Sequence, residues 1–168
     1  MHEAPTAFDP LSIIEVLNRH GVPFVVIGGV AAGVQGAMWA TFDLDITYGR
    51  AADDLRRLAA SMAELEARPL ELDDGLVVHL DERSFRQGDT WTLATRFGRL
   101  DLLGEPAPDL HYEVLADRAR TVEGRQRYRV ASLADLIAMK RHAGRPQDAG
   151  HVVLLRAALD ASTEPAGS

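Results

Sequence analysis

Short apolar runs alternate with helical stripes along this chain, and the punctuation between them is sharp. Positions 10–20 carry Leu11, Ile14, Val16 and Leu17 behind Pro10, a helix pattern. Phe24-Val25-Val26-Ile27 is a β-branched run that ends in Gly28-Gly29, which predicts a buried strand over 23–28, a tight turn and a short helix over 30–37. A strand is expected over 41–48 and a helix over 53–66, with Asp53 and Asp54 suiting its first turn. Strands follow at 76–80, 90–96 and 99–103, the last two around Phe97-Gly98, then a helix at 110–117. A hairpin of 119–123 and 126–131 turns at Glu123-Gly124. Helices at 132–143, between Ser132 and Gly144, and at 146–159, with Pro146 in its first turn, complete the pattern. The order predicts an α/β protein with a mixed sheet flanked by helices. One domain over 1–160 and a loose tail over 161–168 are expected.

Polar residues interrupt this scheme at one strand. In Thr41-Phe42-Asp43-Leu44-Asp45-Ile46-Thr47-Tyr48, alternation puts Thr41, Asp43, Asp45 and Thr47 on one face and Phe42, Leu44, Ile46 and Tyr48 on the other. Two carboxylates roughly 6–7 Å apart along a strand repel each other. A divalent cation with oxygen ligands, Mg²⁺ above all, relieves that repulsion; a solvated polar face is the plainer reading of an isolated Asp-x-Asp. The Gly28-Gly29 turn just upstream lets backbone approach a ligand and offers helix N–H groups to an anion. Its glycine spacing is neither a dinucleotide fingerprint nor a P-loop. An anion site followed by a metal-binding strand describes a metal–triphosphate site.

Ile27-Gly28-Gly29-Val30-Ala31, a gap of about a dozen residues and Asp43-Leu44-Asp45 together resemble the polymerase-β-like nucleotidyltransferase superfamily. The wording of both motifs is most similar to the AbiEii/MenT-type nucleotidyltransferases, typically toxins of bacterial toxin–antitoxin pairs. The likeness covers about 22–105 and resumes at 130–155. It implies a nucleotidyltransferase fold whose C-terminal helices close the site, probed by a nucleoside triphosphate with two Mg²⁺ ions on Asp43 and Asp45. It also implies a tRNA 3′ end as acceptor, a cognate antitoxin as partner and a cytoplasmic setting. The chain departs from the drug- and protein-modifying branches in having no basic residue in Val30-Ala31-Ala32. Modification of a protein or an aminoglycoside is the competing reading, and a non-catalytic nucleotide-binding member a further one.

Other residues extend the picture. Lys140 is the one lysine among 18 basic side chains and shares a helix face with Leu133, Leu136 and Ile137. It either meets phosphate as a point charge or snorkels outward at the helix end. Asp148 falls in phase with Val152 and Leu155, facing inward at a helix start, where it suits the dipole. The resemblance implies instead that Lys140 and Asp148 border the nucleotide or acceptor pocket. His151, one turn on, reads either as a core histidine, the favoured reading, or as a partner standing behind the pocket residues. Asp101, between leucines, is either the superfamily's third carboxylate or the partner of Arg99 or Arg96 at a strand edge. Thr41 lies on the carboxylate face, where it would contact nucleotide or be modified or covered by an antitoxin.

Charge and composition narrow the classes. A net charge of −7 argues against a surface made for bulk nucleic-acid binding. Yet Arg118, Arg120, Arg125, Arg127 and Arg129 crowd the hairpin. They form either a local track for an RNA backbone or a charged, protected sheet edge. There is no cysteine, hence no thiol catalysis or disulfide. No apolar run reaches about 18 residues, and Met1–Pro5 lacks the character of a signal peptide.

Overall fold

The computed structural model describes residues 6–72, 75–165 and 167. Helix α1 (Pro10–Arg19) is capped by Asp9, whose carboxylate accepts from the Ser12 N–H, and buries Ile13, Ile14, Val16 and Leu17. Strand β1 (Phe24–Ile27) is buried along its whole length. Helix α2 (Gly28–Gly33) starts on the first glycine, two residues earlier than the periodicity predicts. Strand β2 (Asp43–Tyr48) and helix α3 (Ala52–Glu64) follow. Leu55, Leu58 and Met62 form the buried stripe of α3.

The next segment departs from expectation. No strand forms at 76–80: Leu76 and Val77 are exposed, the latter by 79%. The place beside β4 (Thr90–Thr95) is taken by the two-residue β3 (Arg68–Pro69), which pairs with Leu93 and Ala94. An apolar pair without a partner strand has no ladder to join. A helix not foreseen, α4 (Glu82–Gln87), is capped by Asp81 through the Ser84 N–H and buries Phe85.

Strand β5 (Gly98–Leu103), helix α5 (Tyr112–Arg118), β6 (Arg120–Val122) and β7 (Tyr128–Val130) follow. The chain closes with α6 (Leu133–Ala143) and α7 (Asp148–Thr163). Ser132 caps α6, and Gly144 ends it at φ 61° in the left-handed region that glycine tolerates. Helix α7 begins two residues later than expected, after Pro146, and runs three residues into the segment read as a tail; positions 166 and 168 of that segment lie outside the described residues, as do 1–5.

Among the described residues, seven strands form one mixed sheet in the order β3-β4-β5-β2-β1-β7-β6. Its centre pairs β1 with β2 antiparallel and β2 with β5 parallel. Leu44, Ile46, Leu100 and Leu102 point into the core between the sheet and its helices. The opposite phase of β2 and β5 therefore carries the polar side chains. No helix among the described residues is long and apolar enough to cross a membrane.

Candidate active site

Register builds the site. Ile27 pairs with Asp45, Asp45 with Asp101, and Asp101 with Thr92, so one cross-strand row runs over four strands. The next row of the same phase pairs Asp43 with Arg99. Side chains alternate along a strand, so these two rows share a face and form a compact quartet of three carboxylates and one guanidinium. Oxygens of Asp43, Asp45 and Asp101 all come within 4.8 Å of one another. Asp101 joins the carboxylate cluster and also pairs with Arg99, one of the two partners expected of it. Arg99 forks onto it at 3.2 Å through Nε and 3.2 Å through Nη2, and its Nε lies 3.7 Å from Asp43.

These side chains open into a cavity of about 530 Å³. Gly28 and Gly29 line the cavity directly beside Asp45 and Thr41, and their lack of side chains is a steric requirement. A Cβ on Gly28 would stand 2.1 Å from Asp45 Oδ2, and Gly28 has φ +69°. A Cβ on Gly29 would stand 2.8 Å from the Thr41 Cβ and 3.1 Å from Trp39 Nε1. Ile27 precedes α2 without a side-chain cap, leaving the first N–H groups beside the cavity.

Thr41 precedes β2 rather than lying in it, yet it reaches the carboxylates: its hydroxyl donates to Asp43 Oδ1 at 3.2 Å. Two other members of that segment differ from the alternation. Phe42 does not join the core but lines the cavity mouth, 77% exposed, because the regular strand starts only after it. Thr47 is fully buried, its hydroxyl donating to the Gly104 carbonyl at 3.4 Å. Only Asp43 and Asp45 of β2 face the cavity.

The far wall comes from α6 and α7. Lys140 lines the cavity and does not snorkel: its Nζ donates to Asp148 Oδ1 at 3.1 Å and sits 5.3 Å from the Trp39 ring centre. Asp148, 2% exposed, lies behind this wall rather than on it. It accepts from the Arg145 backbone N–H at 3.0 Å and from the Arg145 Nε at 3.1 Å. Asp148 therefore holds Lys140 and Arg145 from behind the wall and does not itself line the cavity, a correction to the pocket-bordering place expected of it. His151 is corrected as well. It is no core residue but part of the cavity wall, stacked on Trp39 at 4.1 Å between ring centres and 11° between planes.

Electrostatics divide the two walls. Burial, then the charges of Asp43 and Asp101, pushes the Asp45 carboxyl well above the usual carboxylate range. Burial alone would also raise Asp148, but hydrogen bonds from Arg145 and Lys140 override it and hold Asp148 at about 2. Burial and the neighbouring Lys140 charge lower the His151 pKa, against the pull of Asp148. A cluster of all-oxygen donors, one of them reluctant to ionise, fits a hard divalent cation such as Mg²⁺.

Sequence reasoning missed Trp39, which lies in a loop without periodicity, and the cavity role of His151. The only signal for His151 was its spacing, three residues beyond Asp148. The hairpin arginines are not brought to the site. Only Arg129 lies in β7, since residues 123–127 form the turn, so Arg125, Arg127 and Arg129 do not share a strand face. β7 pairs with β1 through Val26 and Val130, which places that turn toward the Phe24 end of β1, away from the carboxylates at the Ile27 end.

No family model matches the chain, and no curated protein does. Solved structures do match in shape. The lincosamide antibiotic adenylyltransferase LnuA, lincomycin-bound, superposes with a TM-score of 0.59 at 12% identity, over 89% of this chain and 95% of that one. ANT(2'')-Ia in complex with adenylyl-2''-tobramycin gives 0.59 at 16%, over 91% and 88%. A nucleotidyltransferase candidate from Thermotoga maritima gives 0.54 at 18%, over 96% and 99%. Together with the seven-stranded mixed sheet and its flanking helices, these likenesses establish that the chain has the nucleotidyltransferase fold.

Proposed function

We propose that this protein is a divalent-metal-dependent nucleotidyltransferase that moves a nucleoside monophosphate from a nucleoside triphosphate to an acceptor hydroxyl. The observation that carries this reading is the meeting, in one cavity, of the Asp43/Asp45/Asp101 cluster with the side-chain-free Gly28-Gly29 wall. Asp43 and Asp45, with Asp101 beside them, would hold Mg²⁺, and Asp101 would also orient the attacking hydroxyl. Bound metal supplies charge neutralisation at the triphosphate and favours an ionised nucleophile. Gly28 and Gly29 let the phosphates approach the uncapped N–H groups of α2. Lys140, steadied by Asp148, meets phosphate charge as a point cation, in place of the arginine missing after the glycines. Thr41 adds a hydroxyl donor beside Asp43.

For the acceptor, an RNA 3′ end, as in a tRNA-modifying toxin restrained by a cognate antitoxin, is supported by the motif wording. The exposed Phe42 at the mouth also supports it, as an aromatic face on which an unstacked base can lie. A small hydroxylated molecule, such as an antibiotic, is the second reading. The shape match to two antibiotic-modifying enzymes favours it, as does the distance of the hairpin arginines from the cavity. Four labelled nucleoside triphosphates, each offered with total RNA, an aminoglycoside, a lincosamide and the protein itself, with and without Mg²⁺, separate these. Label on RNA 3′ ends supports the first reading and label on a drug the second. No metal-dependent release of pyrophosphate with any of them overturns both.

A further inference from the structure

Arg99 stands out in the quartet because, among the described residues, no other cation is ion-paired with the cluster, Lys140 acting on Asp45 only at longer range. Among the described residues it alone forms ion pairs with Asp43 and Asp101. Lys140 and Arg145, the other cavity cations, are both taken up by Asp148. The sheet register puts Arg99 there, opposite Asp43 and two residues before Asp101 on the same face. Its fork engages both oxygens of Asp101, the same atoms a cation would use. Its side chain is nonetheless 47% exposed and lines the cavity, so it has room to leave.

We propose that Arg99 is a built-in counter-ion that holds the Asp43–Asp101 corner in the metal-free protein and gives it up when metal and triphosphate enter together. The proposal rests on the reading of the carboxylates as a metal–triphosphate site. A guanidinium on Asp101 opposes free metal, since metal binding must first break the fork and then place like charges side by side. The opposition ends once a triphosphate is present, because the released guanidinium has phosphate oxygens within the same cavity to bind. Metal and nucleotide affinities are thereby coupled, and the coupling is reciprocal. The site disfavours metal alone without losing it in the loaded state.

The test is a Mn²⁺ titration, with free Mn²⁺ counted by its electron paramagnetic resonance signal, on the full-length protein. Wild type, Arg99→Gln and Arg99→Lys are compared with and without a non-hydrolysable nucleoside triphosphate. Without nucleotide, Arg99→Gln should bind Mn²⁺ roughly fivefold more tightly than wild type, the scale of a half-exposed ion pair. With nucleotide that advantage should vanish or reverse. Arg99→Lys, which keeps the charge but cannot cover both Asp101 oxygens, should fall between, and carries the test if Arg99→Gln does not fold. Equal Mn²⁺ affinity of wild type and variants without nucleotide overturns the counter-ion role while leaving the metal site intact. Absence of Mn²⁺ binding in every protein and condition overturns the metal site itself, and this proposal with it.

Discussion

The cavity quartet and the arginine hairpin are both crowded with like charge in the sequence, and the structure treats them in opposite ways. In the hairpin region, Arg118 is held by Asp135 at 2.7 Å, Arg127 by Glu123 at 3.3 Å, and Arg129 donates to the Tyr112 hydroxyl at 2.7 Å. Two of the five arginines there meet carboxylates and a third meets a hydroxyl, along a sheet edge. Around the carboxylates, among the described residues, three acids share one ion-paired arginine and open into a cavity. Dense charge in a sequence is thus a weak signal by itself. What distinguishes a site is charge left unbalanced by the fold, on a concave surface, in a place the register fixes.

This contrast can be broken most forcefully at the carboxylates. Asp43→Asn and Asp45→Asn should each lower nucleotidyl transfer by more than about 10²-fold, beyond the 10–100-fold that outer partners of a metal are worth. Asp45→Asn should leave thermal stability in chelator unchanged or raised, because it removes a carboxyl that the fold already disfavours ionising. A marked fall in melting temperature for both variants would make the pair structural. Thr41→Glu should also be inactive, since it adds a charge beside Asp43, while Thr41→Val should fold and retain reduced activity. Full activity of Thr41→Glu would put the hydroxyl outside the working pocket.

Much of this was legible because period-2 and period-3.6 patterns are local. Asp43 and Asp45 on one face, Gly28-Gly29 at the join of a strand and a helix, Ser132 and Gly144 bounding α6 and the inward phase of Lys140 all follow from such spacing. What escaped depends on contacts distant in sequence. The register that sets Asp101 opposite Asp45 comes from parallel pairing of β2 with β5, across two helices and two strands. Trp39 against His151 joins a loop to α7. The expected strand at 76–80 failed because alternation says nothing about whether a partner edge is free, and Arg68–Pro69 occupies it.

Asp148 offers a smaller and pH-dependent test. Its folded pKa, about 2, lies below the ordinary 3.8, so its contribution to stability is complete above the higher value and is lost as pH falls from about 4 to about 2. That difference corresponds to about 2 kcal/mol. Asp148→Asn should lose a similar amount at pH 7, flatten this part of the acid-unfolding profile and weaken triphosphate binding through a misplaced Lys140. An unchanged profile in denaturant unfolding would show that Asp148 holds nothing in place. The smallest effect is expected in the other region. Arg125→Ser and Arg127→Ser, in the turn away from the cavity, should change transfer by less than about twofold, the effect of an exposed charge. A tenfold loss with an RNA acceptor alone would restore the hairpin as an RNA track.

The central claim is that the charge left unbalanced in the cavity serves transfer of a nucleoside monophosphate. It is tested most directly by incubating the protein and its acceptor mixture with nucleoside triphosphate labelled at either the α- or the γ-phosphate, in Mg²⁺ or in chelator. The account predicts that α-label enters the acceptor only with Mg²⁺, that γ-label leaves as pyrophosphate, and that Asp43→Asn abolishes both. Label entering from the γ-phosphate, or α-label transferred equally well in chelator, would contradict it.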